Sequence, residues 1–198
     1  MKVVAFNGSP RAQGNTAALL QRLLDRLGHE GIETELVQVG GHVVAGCNAC
    51  RECFEKRDRC CVLTGDPVNE WIGRMLEADA IVLGSPTYFG GVTSQLKALI
   101  DRAGLVAKAN REMLRRKVGA AVVAARRAGA LNTFDEINHF FLTSQMIVPG
   151  SSYWTVGYGM EEGRVGEDSE AAQVVDTLGD TMLWLLRLIQ ARQVVSVI

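Results

Sequence analysis

Neither sign of charge dominates this sequence of 198 residues: 21 Lys and Arg stand against 22 Asp and Glu, a formal charge of −1. A chain so close to neutrality lacks the basic footprint of a nucleic-acid binder. A long, clean hydrophobic run is missing too. The longest uncharged stretch, 137–160, matches a membrane span in length, but Asn138, His139, Ser144, Gln145, Pro149, Gly150 and Ser151 interrupt it. The opening MKVVAFNGSP has too short an apolar run for a signal peptide and leads straight into a loop. No internal repeat, low-complexity tract or linker is visible, and no Ser/His/Asp or paired-carboxylate arrangement emerges. His29, His42 and His139 read as surface residues. The expectation is a cytoplasmic protein that engages neither nucleic acid nor membrane.

Cysteine is absent from the chain except between Cys47 and Cys61, where all five fall. In a reducing compartment such clustering points to metal or redox chemistry rather than to structural disulfides. The remainder is ordinary, with 47% hydrophobic and 22% charged residues. That profile and length predict a single domain over 1–198, with the cysteine-rich segment as an insertion at about 46–62.

Short apolar runs alternate with helical patterns along the chain. Strands are predicted at 2–7 (KVVAFN), 34–39 (TELVQV), 80–83 (AIVL), 118–124 (VGAAVVA) and 146–148. Helices are predicted at 15–28, 67–77, 92–103, 131–144 and 170–191, and 151–160 reads as a loop or hairpin. Strands apolar on both faces and joined by helices imply an α/β, doubly wound, five-stranded parallel sheet. The flavodoxin-like order 2-1-3-4-5 is expected, with the cysteine-rich loop after the second strand.

Two loops carry binding chemistry. Asn7-Gly8-Ser9-Pro10-Arg11-Ala12-Gln13-Gly14-Asn15-Thr16 joins the first strand to the first helix. Unpaired amides at a helix N-terminus favour an anion, and Ser9, Arg11, Asn15 and Thr16 are the candidate donors. The loop has neither the Walker pattern nor the GxGxxG fingerprint, so a monophosphate cofactor suits it better than a pyrophosphate. An ordinary capped βα turn is the plain alternative. The loop after the third strand is Gly84-Ser85-Pro86-Thr87-Tyr88-Phe89-Gly90-Gly91. The two loops flank the switch point of the sheet and can hold two ends of one ligand, with Tyr88 or Phe89 over a flat ring. The alternative is that Pro-Thr-Tyr-Phe merely packs the loop.

GSPRxxGNT after the first strand and GSPTYFGGVTSQLKALIDR after the third resemble the flavodoxin-fold NAD(P)H-dependent FMN reductases. GCNACRECFEKRDRCCV between them, and MIVPGSSYWTVG later, resemble the iron-sulfur flavoprotein branch of that family, so the likeness covers most of the chain. The resemblance implies FMN held at its phosphate by Ser9, Arg11, Asn15 and Thr16. Pro86, Thr87, Tyr88, Phe89 and Gly90 would lie along the isoalloxazine.

Three cysteines at x2 intervals, Cys47, Cys50 and Cys53, can wrap one centre, and a fourth completes a [4Fe–4S] ligand set. The resemblance places that fourth cysteine before an apolar pair, which favours Cys61 before Val62 and Leu63 over the adjacent Cys60. Arg51, Lys56, Arg57 and Arg59 outnumber Glu52, Glu55 and Asp58 by one and partly offset thiolate charge. A zinc site and free or regulatory thiols remain open readings.

The basic stretch 108–117 reads as a solvated helical face, whereas Arg126 and Arg127 sit where a loop can touch a flavin or a nicotinamide phosphate. Tyr153 and Trp154 suggest a subunit contact, hence a homodimer or homotetramer, with a cap over the flavin as the alternative, and Trp184 suggests core or interface packing. The expected function is an FMN-dependent oxidoreductase with a [4Fe–4S] cluster, moving electrons between NAD(P)H or a ferredoxin-like donor and an acceptor. The flavin carries the chemistry, and no catalytic side chain is expected. A cluster-free NAD(P)H:FMN or quinone reductase and a non-enzymatic electron carrier or redox sensor are the alternatives.

Overall fold

The computed structural model describes residues 1–195. Its frame is five parallel strands in the order β2-β1-β3-β4-β5. These are β1 (Lys2–Asn7), β2 (Glu33–Gln38), β3 (Ala80–Pro86), β4 (Val118–Ala125) and β5 (Val156–Tyr158). The connecting helices are α1 (Asn15–Gly28), α2 (Glu52–Lys56), α3 (Val68–Glu77), α4 (Ser94–Ala109), α5 (Ala130–Thr143) and α6 (Ser169–Val195). A short 3₁₀ turn, Arg164–Glu167, precedes α6.

The central strands are apolar on both sides because helices cover both faces of the sheet. Val118, Ala120, Val122 and Ala124 of β4 face the layer of α1 and α6, while Ala121, Val123 and Ala125 face α3, α4 and α5. Small residues in β4 let a helix come close: a Cβ on Gly119 would lie 2.8 Å from the Phe141 ring. Helix α1 presents Leu19, Leu20, Leu23, Leu24 and Leu27 to the core, at the helical spacing visible in the sequence.

The fifth strand differs from the expectation. Residues 146–148 do not form it; Ile147 makes only an isolated bridge opposite Val118. Pro149 follows, which has no amide hydrogen to continue a ladder, and the chain leaves the sheet. It rejoins β4 nearer that strand's C-terminal end, where the Val123 amide donates to Thr155 O at 2.9 Å. The segment 151–160 therefore contains β5 rather than a free loop or hairpin. Helix α4 runs to Ala109 rather than stopping at residue 103, and α2 inside the cysteine segment was not foreseen.

Candidate functional site

The sheet order reverses at β1 and β3, and the loops leaving their C-terminal ends are tied together. Gly8 N–H donates to Gly84 O at 2.8 Å, and Thr93 Oγ1 donates to Gly8 O at 2.7 Å. Within the first loop, Ser9 N–H donates to Asn7 Oδ1 at 3.1 Å and Arg11 N–H to Ser9 Oγ at 3.2 Å. Gln38 at the end of β2 braces this turn from outside, donating to Ser9 O and Gly40 O at 2.7 Å each. Gly40 lies so close that a Cβ there would stand 2.2 Å from Ser9 O.

Helix α1 begins at Asn15 after an N-cap Gly14, with no capping side chain and no acidic residue in its first turn. Its leading amides therefore face the loop without a protein partner, which is the geometry that attracts an anion. Thr16 adds a specific mark: its buried hydroxyl has no hydrogen-bond partner. Arg11 is exposed at the loop tip. The Asn15 side chain is engaged elsewhere, donating to Gly159 O at 3.0 Å and Glu161 O at 2.9 Å and accepting from Val165 N–H. It anchors the segment after β5 and leaves its backbone amide facing the loop.

In the second loop, Tyr88 and Gly91 exchange both backbone hydrogen bonds, at 2.9 and 3.0 Å, around a two-residue tip. Phe89 and Gly90 take φ of 51° and 78° there, a primed turn that a bulky aromatic seldom enters. The Phe89 ring is fully in solvent, at 113% relative exposure, and Tyr88 is half exposed. Pro86 and Thr87 are partly buried, with Thr87 N–H bonded to Ala124 O and its hydroxyl accepting from Thr133 at 3.2 Å. Glu136 Oε2 accepts from Val92 N–H at 2.9 Å, so α5 backs the loop.

The cysteine segment lies beside α4. Ala49, Arg51, Arg57 and Arg59 all adopt positive φ, between 50° and 67°, which curls the loop tightly without glycine. All five thiols are free. Burial pushes the Cys53 thiol up, and the nearby sulfurs of Cys50, Cys61 and Cys47 push it the same way. Cys60 is exposed, whereas Cys53 and Cys61 pack against the core. Among the described residues, no three His, Cys, Asp or Glu side chains are drawn tightly enough together to hold a metal ion.

One residue unforeseen from sequence organises this segment. Arg102 of α4 is buried and donates to Cys61 Sγ at 3.3 Å, Asp66 Oδ2 at 2.5 Å and Leu63 O at 2.7 Å. Burial by itself would raise the Asp66 carboxyl; hydrogen bonds from Arg102, Ala45 N–H and Val68 N–H outweigh it and hold the group below its ordinary value. A signal was present: Arg102 falls at i+3 from Leu99 on a stripe continued by Val106, an arginine where a buried apolar residue is expected.

The family model for NADPH-dependent FMN reductases matches residues 1–161. The chain belongs to that family. It is 38% identical to an iron-sulfur flavoprotein of Methanocaldococcus jannaschii over 197 residues, 96% of this chain and all of that one. Identity to an iron-sulfur flavoprotein of Methanosarcina thermophila is 32%, covering 96% of this chain and 97% of the relative. Among solved structures, RosB with bound 8-demethyl-8-formylriboflavin-5′-phosphate superposes at TM-score 0.73 with 19% identity, over 96% of this chain and 81% of RosB. An NADH:FMN oxidoreductase in its apo form gives 0.60 at 17% identity, over 90% and 88% of the two chains. At such identities the likeness concerns the flavodoxin-like fold alone.

For this FMN reductase family member, the first loop fits a phosphate monoester. An orphaned buried hydroxyl and uncapped amides are donors and dipoles awaiting an acceptor. The cysteine donor set fits a cluster in its chemistry, with Cys47, Cys50, Cys53 and Cys61 on one segment and a buried cation against Cys61 Sγ. Arg126 and Arg127 are exposed beyond β4. The histidines lie at the surface, as expected, and His42 meets Trp71 edge-on at 5.5 Å.

Proposed function

We propose that the chain is an FMN-dependent oxidoreductase that carries a [4Fe–4S] cluster and moves electrons between NAD(P)H, or a ferredoxin-like donor, and an acceptor. Helix α4 carries this reading, because it joins the two candidate sites. At its N-terminal end Thr93 grips Gly8 of the phosphate loop; nine residues on, Arg102 grips the cysteine segment. That interval is about 13 Å of helix, so the two redox sites would be neighbours on one rigid element.

Ser9, Arg11, Thr16 and the leading amides of α1 would hold the FMN phosphate, with Asn15 contributing its backbone N–H. Pro86, Thr87, Tyr88, Phe89 and Gly90 would border the isoalloxazine, and the exposed Tyr88 and Phe89 leave room for a partner at that face. Cys47, Cys50, Cys53 and Cys61 would ligate iron, with Cys60 left free. When bound, FMN supplies two-electron and the cluster one-electron chemistry, while the protein positions both. Exposed Tyr153 and Trp154, stacked edge-on at 4.5 Å, suit a contact between copies in a homodimer or homotetramer.

Anaerobic purification followed by flavin, iron and acid-labile sulfide assays tests this reading. The expected result is FMN with four irons and four sulfides per chain. Flavin without iron or sulfide sinks the cluster and favours a cluster-free NAD(P)H:FMN or quinone reductase. Flavin reduced by ferredoxin but by neither pyridine nucleotide favours an electron carrier. Among the described residues no helix is long and apolar enough to cross a membrane.

A further inference from the structure

We propose that Arg102 is a positioning residue for the cluster: it fixes Cys61 and both arms of the cysteine loop, and its N–H contact to sulfur raises the cluster's reduction potential. The inference rests on the cluster reading above.

Arg102 is 1% exposed, on a helix whose other inward residues are apolar. Taking a guanidinium out of water is costly unless its donors are met, and here each nitrogen has a partner. Nε donates to Cys61 Sγ at 3.3 Å, Nη1 to Asp66 Oδ2 at 2.5 Å and Ala45 O at 3.2 Å, and Nη2 to Leu63 O at 2.7 Å. Asp66 Oδ2 returns to the same place, accepting from Ala45 N–H at 3.1 Å. Ala45, which precedes the first cysteine, is thus held by both its amide and its carbonyl, while Leu63 and Asp66 follow the last. A single ion pair closes the loop.

A planar, forked cation is suited to this work, since one group must reach a sulfur, a carboxylate and two carbonyls. An apolar residue would fill the space in α4 without closing anything. The cost of burying the pair is therefore explained by what it orients, not by stability.

The same contact acts on electrons. Reduction adds one electron to the cluster, and a donor aimed at a ligating sulfur stabilises the more negative, reduced form, which raises the potential. Asp66 opposes this with its own charge. Arg102 and Asp66 therefore act in opposite directions, and that opposition separates tuning from scaffolding.

The test uses anaerobically purified holoprotein, with iron and sulfide counted first and the cluster and FMN potentials titrated in the same sample. Arg102→Lys keeps a charge but loses the fork; its cluster is expected to be about tenfold harder to reduce, about 59 mV for a one-electron couple. Asp66→Asn keeps the Cys61 contact and is expected to shift the cluster upward, and FMN holds its potential in both. Unchanged cluster potentials, or shifts of the same sign, overturn the inference and leave Arg102 a scaffold residue. Should either variant fail to fold, wild-type protein labelled with ¹⁵N-arginine decides the matter: pulsed EPR of the reduced cluster is expected to show an arginine nitrogen coupling, and its absence overturns the inference. Wild-type protein free of iron and sulfide removes the cluster reading itself, and this inference with it.

Discussion

Thr93 Oγ1 donates to Gly8 O at 2.7 Å, and this bond spans 85 positions of sequence to join the two loops at the switch point. Thr93 N–H is bonded in turn to Ser85 Oγ at 3.1 Å. Replacing Thr93 by Val keeps the shape but leaves a buried carbonyl without this donor. The expected cost is about 1–3 kcal/mol of folding stability, with weaker FMN retention, read by urea unfolding and flavin fluorescence. Thr93→Ser should recover most of both. Wild-type stability and flavin affinity in Thr93→Val would show that the bond does not hold the loops.

Thr16 offers a contrast in sign. Its buried hydroxyl has no partner in the protein, so Thr16→Val removes an unmet polar group. The apoprotein should be as stable as wild type or more so, because nothing is lost that was paired. FMN affinity should fall about tenfold, the scale of one hydrogen bond to a charged group. Apoprotein melting and flavin titration check the two halves separately. Undiminished affinity would remove Thr16 from the phosphate site.

Gly40 is tested by adding one methyl group. A Cβ there would meet backbone, with Ser9 C and O at 2.2 Å and Gly8 O at 2.5 Å, so no side chain can rotate away to admit it. Gly40→Ala should displace the phosphate loop, costing about 1–3 kcal/mol or more and most of the flavin bound at purification. Gly73→Ala in α3 is the control. Nothing lies within 4 Å of its added Cβ, and a helical Ala should leave flavin content intact.

The adjacent cysteines should behave differently. Cys60 is exposed, while Cys61 shares its surroundings with Cys53 and the Arg102 guanidinium. Cys60→Ser is expected to keep full iron and sulfide, and Cys61→Ser to lose most of both. The reverse pattern in a colorimetric iron assay would exchange their roles.

Much of the frame was legible because its cues are local. Apolar runs of strand length mark β1, β3 and β4, and the leucines of α1 repeat every three or four residues. The loop motifs lie where a strand hands over to a helix, so their placement at the switch point follows from strand order alone. Where legibility failed, a distant partner decided the outcome. Asn15 reads as a phosphate donor in its loop, but its side-chain amide is bonded to Gly159, 144 positions away, which leaves only its backbone N–H for that role. Residues 146–148 have strand composition, yet Pro149 ends their pairing after one bridge, and β5 forms where Thr155 meets β4.

The sequence by itself determined the parallel sheet, the two loops and the confinement of every cysteine to one segment, because hydrophobic period, turn residues and spacing are properties of neighbours along the chain. Tertiary structure alone decided that Cys61 packs against the core while Cys60 is left exposed, and that an arginine 41 positions later closes the loop beside Cys61. Adjacent cysteines are equivalent to any spacing rule. Their surroundings become different when folding half-buries one against α4 and leaves the other in water.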